Sequence, residues 1–187
     1  MFRLIFYPFN LLIESLEGMG RYVELMASMF RSFFNWHRYL SLAIDHMYQI
    51  GILSIPIVIL TSLFSGMVTS VQAAYQFESG FVPNWFVGSI VGESVLMELA
   101  PMMTALVMTG KIGATIAAEI GTMRVSDQID ALESLSFDPI SFLILPRILA
   151  AIVMFPVLVV IADCFGIIGG LIAAINSMDV SYIEFIR

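Results

Sequence analysis

The chain has 187 residues, 59% of them hydrophobic and 12% charged, with a formal net charge of −7 and a mean hydropathy of +0.95. So much apolar surface exceeds what a soluble domain of this size buries, and the sequence reads as an integral membrane protein. The acidic balance leaves no basic patch for phosphates and argues against nucleic acid as a partner, while a lone Cys164 and the lack of a Cys/His cluster exclude a disulfide framework and a metal site.

The amino-terminal stretch is apolar with a polar stripe. Leu12, Leu16, Met19, Val23, Met26, Phe30 and Phe33 alternate steps of four and three, while Glu14, Glu17, Arg21, Glu24, Ser28 and Arg31 fall within an arc of roughly 120° on a helix. Aromatic residues such as Phe6, Tyr7, Phe9, Phe33, Phe34 and Trp36 suit the headgroup boundary, so residues 1–40 are expected to form an amphipathic helix lying in the interface. A cleavable signal peptide is disfavoured by Glu14 and Glu17 and by the lack of a small-x-small cleavage site.

Residues 47–77 carry no charge, a run of about 30 where about 20 cross the hydrocarbon core, and form the expected first transmembrane helix. Ser62, Gly66, Ser70 and Ala74 make a small-xxx-small ladder that lets another helix approach closely. Pro56 sits near the start, where it disturbs only the first turns. Glu78 to Asn84, with Gly80 and Pro83, reads as a short turn on the far side.

The expected second span, residues 85–118, is interrupted by Glu93, Glu98 and Lys111. Ionisable groups at membrane depth are costly unless they face a cavity or pair. Pro101 has no amide hydrogen for the carbonyl of Met97, which predicts a bend beside Glu98. Glu98 is then a cavity position or half of a structural pair, Glu93 a hydrated residue near the outer interface, and Lys111 a cation that snorkels inward. Gly110, Ala114 and Ala118, with Gly113, Ala117 and Gly121 beside them, give this helix two small stripes.

Residues 119–139 form a polar interruption between the second and third spans. Val125, Ile129, Leu132 and Leu135 line one face of a short helix, with Asp127, Asp130 and Glu133 on the other side. Gly121 is expected to break the preceding helix, Ser126 to cap the short one with Asp127 in its first turn, and Asp138-Pro139 to end the segment. The apolar face meets either the helix bundle or a partner.

The third span, residues 140–175, is entered through Pro146-Arg147, bends at Pro156, and repeats the small ladder at Ala162, Gly166, Gly170 and Ala174, which is suited to packing on the first. Asp163 is a hydrogen-bonded packing residue or a substrate contact. Arg147 snorkels or meets an acid of the interruption. Arg3, Arg21, Arg31 and Arg38 precede the first span, and Lys111, Arg124 and Arg147 flank the interruption, whereas the turn at Glu78 to Asn84 has no basic residue. The amino terminus and the interruption are therefore expected to be cytoplasmic.

Several runs together carry a family likeness: Met97-Glu98-Leu99-Ala100-Pro101, Gly110-Lys111-Ile112-Gly113-Ala114, the stretch from Ala118 to Val125, the stretch from Asp127 to Glu133, Asp138-Pro139, Pro146-Arg147 and the stretch from Gly166 to Gly170. They closely resemble the permease subunits of MCE-associated lipid ABC transporters, the MlaE type, over nearly the whole chain from about Leu40. The resemblance implies an all-α, multi-pass permease of the bacterial inner membrane that works as a homodimer. Its partners would be an ATP-binding cassette ATPase subunit, which hydrolyses the ATP, and an MCE-domain substrate-binding subunit; its cargo would be phospholipid moving between inner and outer membranes to maintain outer-membrane lipid asymmetry. No cofactor is implied. By the same resemblance Glu98 lies by the lipid cavity, with Leu99, Pro101 and Tyr75 as further lipid-path candidates. The interruption holds a coupling helix for the ATPase, with Glu119, Gly121, Thr122, Met123, Arg124, Asp127, Gln128, Ile129, Asp130, Leu132 and Glu133 as candidate coupling residues. Permeases of this type continue into a final pair of membrane helices that is absent from residues 1–187, which read as one permease domain.

Other classes fit less well. An intramembrane enzyme needs paired aspartates or a serine and histidine at membrane depth, and only Asp163 is deep, with His37 and His46 both before the first span. A permease for another hydrophobic substrate such as a sterol, or an ion or small-solute channel lined by Glu93, Glu98 and Lys111, remains the alternative. The chain has no G-x-x-x-x-G-K-[ST] loop of its own.

Overall fold

The computed structural model describes residues 7–33, 36–77, 85–136, 138–178 and 185, and every regular element among them is helical. The turn expected at Glu78 to Asn84 lies outside the described residues. Helix α1 is Tyr7–Phe33. A 3-10 turn, Trp36–Tyr39, leads to α2, Leu40–Ile50, and a second, Ile52–Ser54, to α3, Ile55–Phe77. Helix α4, Trp85–Ser94, passes through a π-helical turn, Val95–Leu99, into α5, Ala100–Val125. The short α6, Gln128–Ser134, and α7, Pro139–Leu143, precede the long α8, Leu145–Met178. Among the described residues three stretches are long and apolar enough to cross a bilayer: Leu40–Gln76, Gly88–Val125 and Pro139–Asn176.

The first and third stretches meet along their small ladders. Ser62, Ser70, Ala162 and Ala174 are buried, and a methyl group on Gly66 would run into the carbonyl of Gly166, as one on Gly169 would into that of Leu63. Because lipid tails are as apolar as the side chains they replace, such helices gain from close van der Waals approach rather than from leaving water, and only residues this small allow it. The two helices run parallel, since Gly51 faces Met154 and Gly66 faces Gly166. Helix α5 runs the other way against α8: Val95 lies on Gly166, whereas Met108 and Phe155 share a pocket nearer the other end.

Boundaries depart from the sequence expectations in three places. Helical structure in the first stretch begins at Leu40, with Ala43 and Ile50 buried, although Asp45 and His46 end the charge-free run at residue 47. Gly121 does not break the second helix, which continues to Val125; a helical glycine costs only about 1 kcal/mol against alanine, and Ala117, Ala118, Glu119, Met123 and Arg124 around it are good helix formers. Ser126 does not cap α6. Its hydroxyl donates back to the carbonyl of Thr122 at 2.7 Å, and Asp127 occupies the cap position with φ 53° and no side-chain cap bond. Aspartate tolerates that left-handed geometry better than most side chains. Asp138 does punctuate the chain, its carboxylate accepting from the amide of Ile140 at 3.2 Å at the start of α7.

The ladder makes a comparison of two glycines informative. Gly66→Ala should destabilise the chain by about 1–3 kcal/mol through overpacking, whereas Gly113→Ala, with nothing within 4 Å of the added methyl, should be neutral or stabilise by up to about 1 kcal/mol. Thermal unfolding in detergent micelles reads both, and equal melting temperatures would refute close ladder packing.

Candidate functional site

About a quarter of the way along the second stretch, a helix defect brings an acid into view. In a regular α-helix Pro101 would have to donate to the carbonyl of Met97, and it has no proton to give. The chain widens instead into the π-helical turn, in which the amide of Ala100 reaches back to the carbonyl of Val95. Such turns are rare and occur often at functional sites. Glu98 sits in this turn and is exposed, as are Leu96 and Met97, while Leu99 and Pro101 are half-buried. At about 1.5 Å per residue, Glu98 lies about 15 Å along the helix from Gly88, near the middle of a hydrocarbon layer about 30 Å thick. Tyr75, on α3, is exposed.

Val95 against Gly166 fixes a layer between antiparallel helices, so Glu98 and Asp163, each three residues nearer the interruption, share one depth. One carboxylate oxygen of Asp163 is buried with no hydrogen-bond partner among the described residues. A tied-down packing carboxylate would be hydrogen-bonded; Asp163 therefore departs from the bonded reading of its sequence position.

The candidate coupling residues divide into an inner and an outer group. Glu119 belongs to the inner one: its carboxylate accepts from the Nη2 of Arg147 at 2.5 Å, and Arg147 also donates to the carbonyl of Leu143 at 3.2 Å. Arg147 is buried, so of the two sequence readings it takes the one in which it meets an acid. Gly121 and Thr122 are exposed on the helix above, the Thr122 hydroxyl donating to Ala118. In the outer group Arg124 and Asp130 make an exposed ion pair at 3.3 Å across the turn. Asp127, Gln128 and Glu133 are exposed, and Ile129 and Leu132 are half-buried. Leu132 lines an apolar hollow of about 290 Å³ with Met123, Gln128, Ala131, Leu135 and Phe142.

Sequence reasoning missed what Lys111 does. Its ammonium donates to the carbonyl of Leu53 at 2.6 Å and to the hydroxyl of Ser54 at 2.8 Å, which ties the second stretch to the break between α2 and α3. With His46, Gln49, Thr115, Glu119 and Arg147 it lines a polar cavity where the three stretches converge. His46 and Gln49 in an otherwise apolar run were the available signal, but only the helix register could bring them together with Lys111.

A family model described as Permease MlaE matches residues 43–187. The chain is 44% identical over 141 residues to a probable ABC transporter permease protein of Rickettsia prowazekii, covering 75% of this chain and 54% of the relative. It is 40% identical over 129 residues to a probable ABC transporter permease protein of Synechocystis, covering 69% and 49%. It is 34% identical over 139 residues to the intermembrane phospholipid transport system permease protein MlaE of Haemophilus influenzae, covering 74% and 53%. The matched region spans about half the length of these relatives.

The two ion pairs should differ in weight. Removing one partner of a buried pair costs about 3–5 kcal/mol; Glu119 is 36% exposed beside a guanidinium that is 8% exposed, so water relieves part of that, and Glu119→Ala should cost about 1–3 kcal/mol. The Arg124–Asp130 pair is 67% and 62% exposed, and Arg124→Ala should cost less than about 1 kcal/mol. Equal shifts in thermal unfolding would mean that Glu119 and Arg147 are no more than a surface pair.

Proposed function

The chain belongs to the MlaE permease family, and from that premise we propose that it is the membrane subunit of an ABC transporter carrying phospholipid between the inner and outer membranes of a bacterium. In this reading residues 1–187 act as a single permease domain, paired with a second copy in the inner membrane, with the amino terminus in the cytoplasm. An ATP-binding subunit hydrolyses ATP, and an MCE-domain subunit receives or delivers lipid. The observation that carries the reading is the exposed carboxylate of Glu98 in the π-helical turn near mid-membrane, where an ionisable group is costly unless it serves a polar or substrate-lined path. The name of the Haemophilus relative, an intermembrane phospholipid transport system permease protein, supports phospholipid as the cargo.

Glu98, Leu99, Pro101 and Tyr75 are then the lipid-path residues, and the outer group from Met123 to Glu133 is the contact with the ATPase. A carboxylate facing the path would orient a headgroup or admit water, and the π turn that holds it is a feature found often at functional sites. Glu98→Leu should reduce lipid transfer between vesicles by the reconstituted complex while the complex still assembles. Unchanged transfer would make Glu98 structural, and lost assembly would place it in a buried pair.

The coupling helix invites a separate test. Truncating a central apolar anchor costs more than about 2 kcal/mol of binding, whereas an exposed rim charge costs less than about 1 kcal/mol. Leu132→Ala and Ile129→Ala should therefore weaken pull-down of the ATP-binding subunit more than Glu133→Ala, and only variants of Asp127, Asp130 and Glu133 should depend strongly on salt. Equal retention of every variant at low and high salt would mean that the segment is a connecting loop.

A further inference from the structure

We infer that the polar cavity between α2, α5 and α8 is an anion site that takes a phosphate oxygen of an anionic phospholipid from the leaflet on the side of the interruption. It is separate from the path at Glu98 and independent of which cargo the protein carries. Lys111 and Arg147 bring two cations to this cavity against the one carboxylate of Glu119. Lys111 belongs to neither of the ion pairs found among the described residues; it donates to the carbonyl of Leu53 and the hydroxyl of Ser54. An ammonium offers three N–H donors and a guanidinium five, and each of these two has two bonds in the structure. Among its lining residues the cavity thus has spare donors and one more cation than carboxylate, with Asp45 beside His46 as the nearest further acid; a positive charge at the edge of a bilayer is expensive unless an anion meets it.

Size and depth identify the source of that anion. The cavity measures about 30 Å³, room for one or two waters or a phosphate oxygen but not for a headgroup. Of the residues that line it Gln49 and Thr115 are exposed, so the cavity is open to the surface and the body of the ligand stays outside. Lys111 lies 23 residues beyond Gly88, about 35 Å along the helix, past a hydrocarbon layer about 30 Å thick and within the headgroup zone. Ile52 and Leu53, exposed beside the same break, provide an apolar surface for acyl chains. Basic pockets between membrane helices at this level suit anionic headgroups.

Native mass spectrometry of the purified chain in detergent micelles tests this, after incubation with phosphatidylglycerol or phosphatidylcholine. Phosphatidylglycerol should be retained about fivefold more than phosphatidylcholine, the effect of about one charge at a membrane surface. Lys111→Gln, which keeps a donor for Leu53 and Ser54, should lose that preference, Lys111→Arg should keep it, and Arg31→Gln, which removes a charge from exposed α1, should change nothing. Equal retention of the two lipids by the native chain overturns the proposal whether or not a variant folds. An equal loss in Arg31→Gln overturns it as non-specific attraction, and displacement of phosphatidylglycerol by an equal concentration of inorganic phosphate overturns the lipid source in favour of a free ion.

Discussion

Two helix backbones can touch in lipid only where neither presents a side chain at the crossing, and Gly66 against Gly166 is where this chain meets that condition. The contact does more than hold two helices together. By setting α3 and α8 in one register, it determines which residues of the antiparallel α4 and α5 can face them. Val95 then falls on Gly166, Met108 beside Phe155, and Glu119 within reach of Arg147. A shift of one residue along the ladder would move α8 by about 1.5 Å and turn it by about 100°, which would undo all three.

The polar residues of the spans are handled differently according to depth. Glu119 and Arg147, nearest the interruption, neutralise each other, and Arg147 gives a second bond to a carbonyl of its own chain. Lys111, further in, is held by a carbonyl and a hydroxyl at the break before α3; the residues Gly51 to Ser54 leave the α-helical pattern there, so acceptors are available. Glu98 and Asp163, deepest of all, have neither arrangement: one is exposed in a π-helical turn and the other has a buried oxygen without a partner among the described residues. Since an uncompensated charge becomes more expensive with depth, the groups left unpaired are those for which a structural role is hardest to supply.

Much of this was legible in the sequence. The three apolar runs, the two ladders and the disturbance before Pro101 follow from residue type and spacing, because span length, close approach and a missing amide hydrogen are local properties. The ends of helices were less legible. A charge-free run stops at His46, although the helix does not, and Gly121 reads as a breaker only when its helical neighbours are given too little weight. Ser126 has the chemistry of an amino-terminal cap, but the same hydroxyl can close the last turn of the preceding helix, and there it does. The partners of Lys111, and which acid of the interruption meets Arg147, were beyond reach for a different reason. These contacts span 57 and 28 residues, and only the packed register of three helices selects them from the other acids and carbonyls nearby.

That register also links the two regions on which the proposed transport function rests. Helix α5 runs unbroken for 26 residues from the π-helical turn to Val125, a rod of about 39 Å. Towards the interruption it is clamped to α8 by Glu119 and Arg147, and about 12 Å back along the helix it is clamped to the first stretch by Lys111. A displacement applied at α6 therefore cannot slide α5 alone without breaking charged hydrogen bonds that are costly to leave unmade. The π turn is where the regular α-helical hydrogen-bond pattern of this stretch is interrupted, and it holds Glu98. A displacement at the interruption is thus either shared with α8 or taken up at the turn that carries Glu98, the connection that the proposed coupling to an ATP-binding subunit calls for.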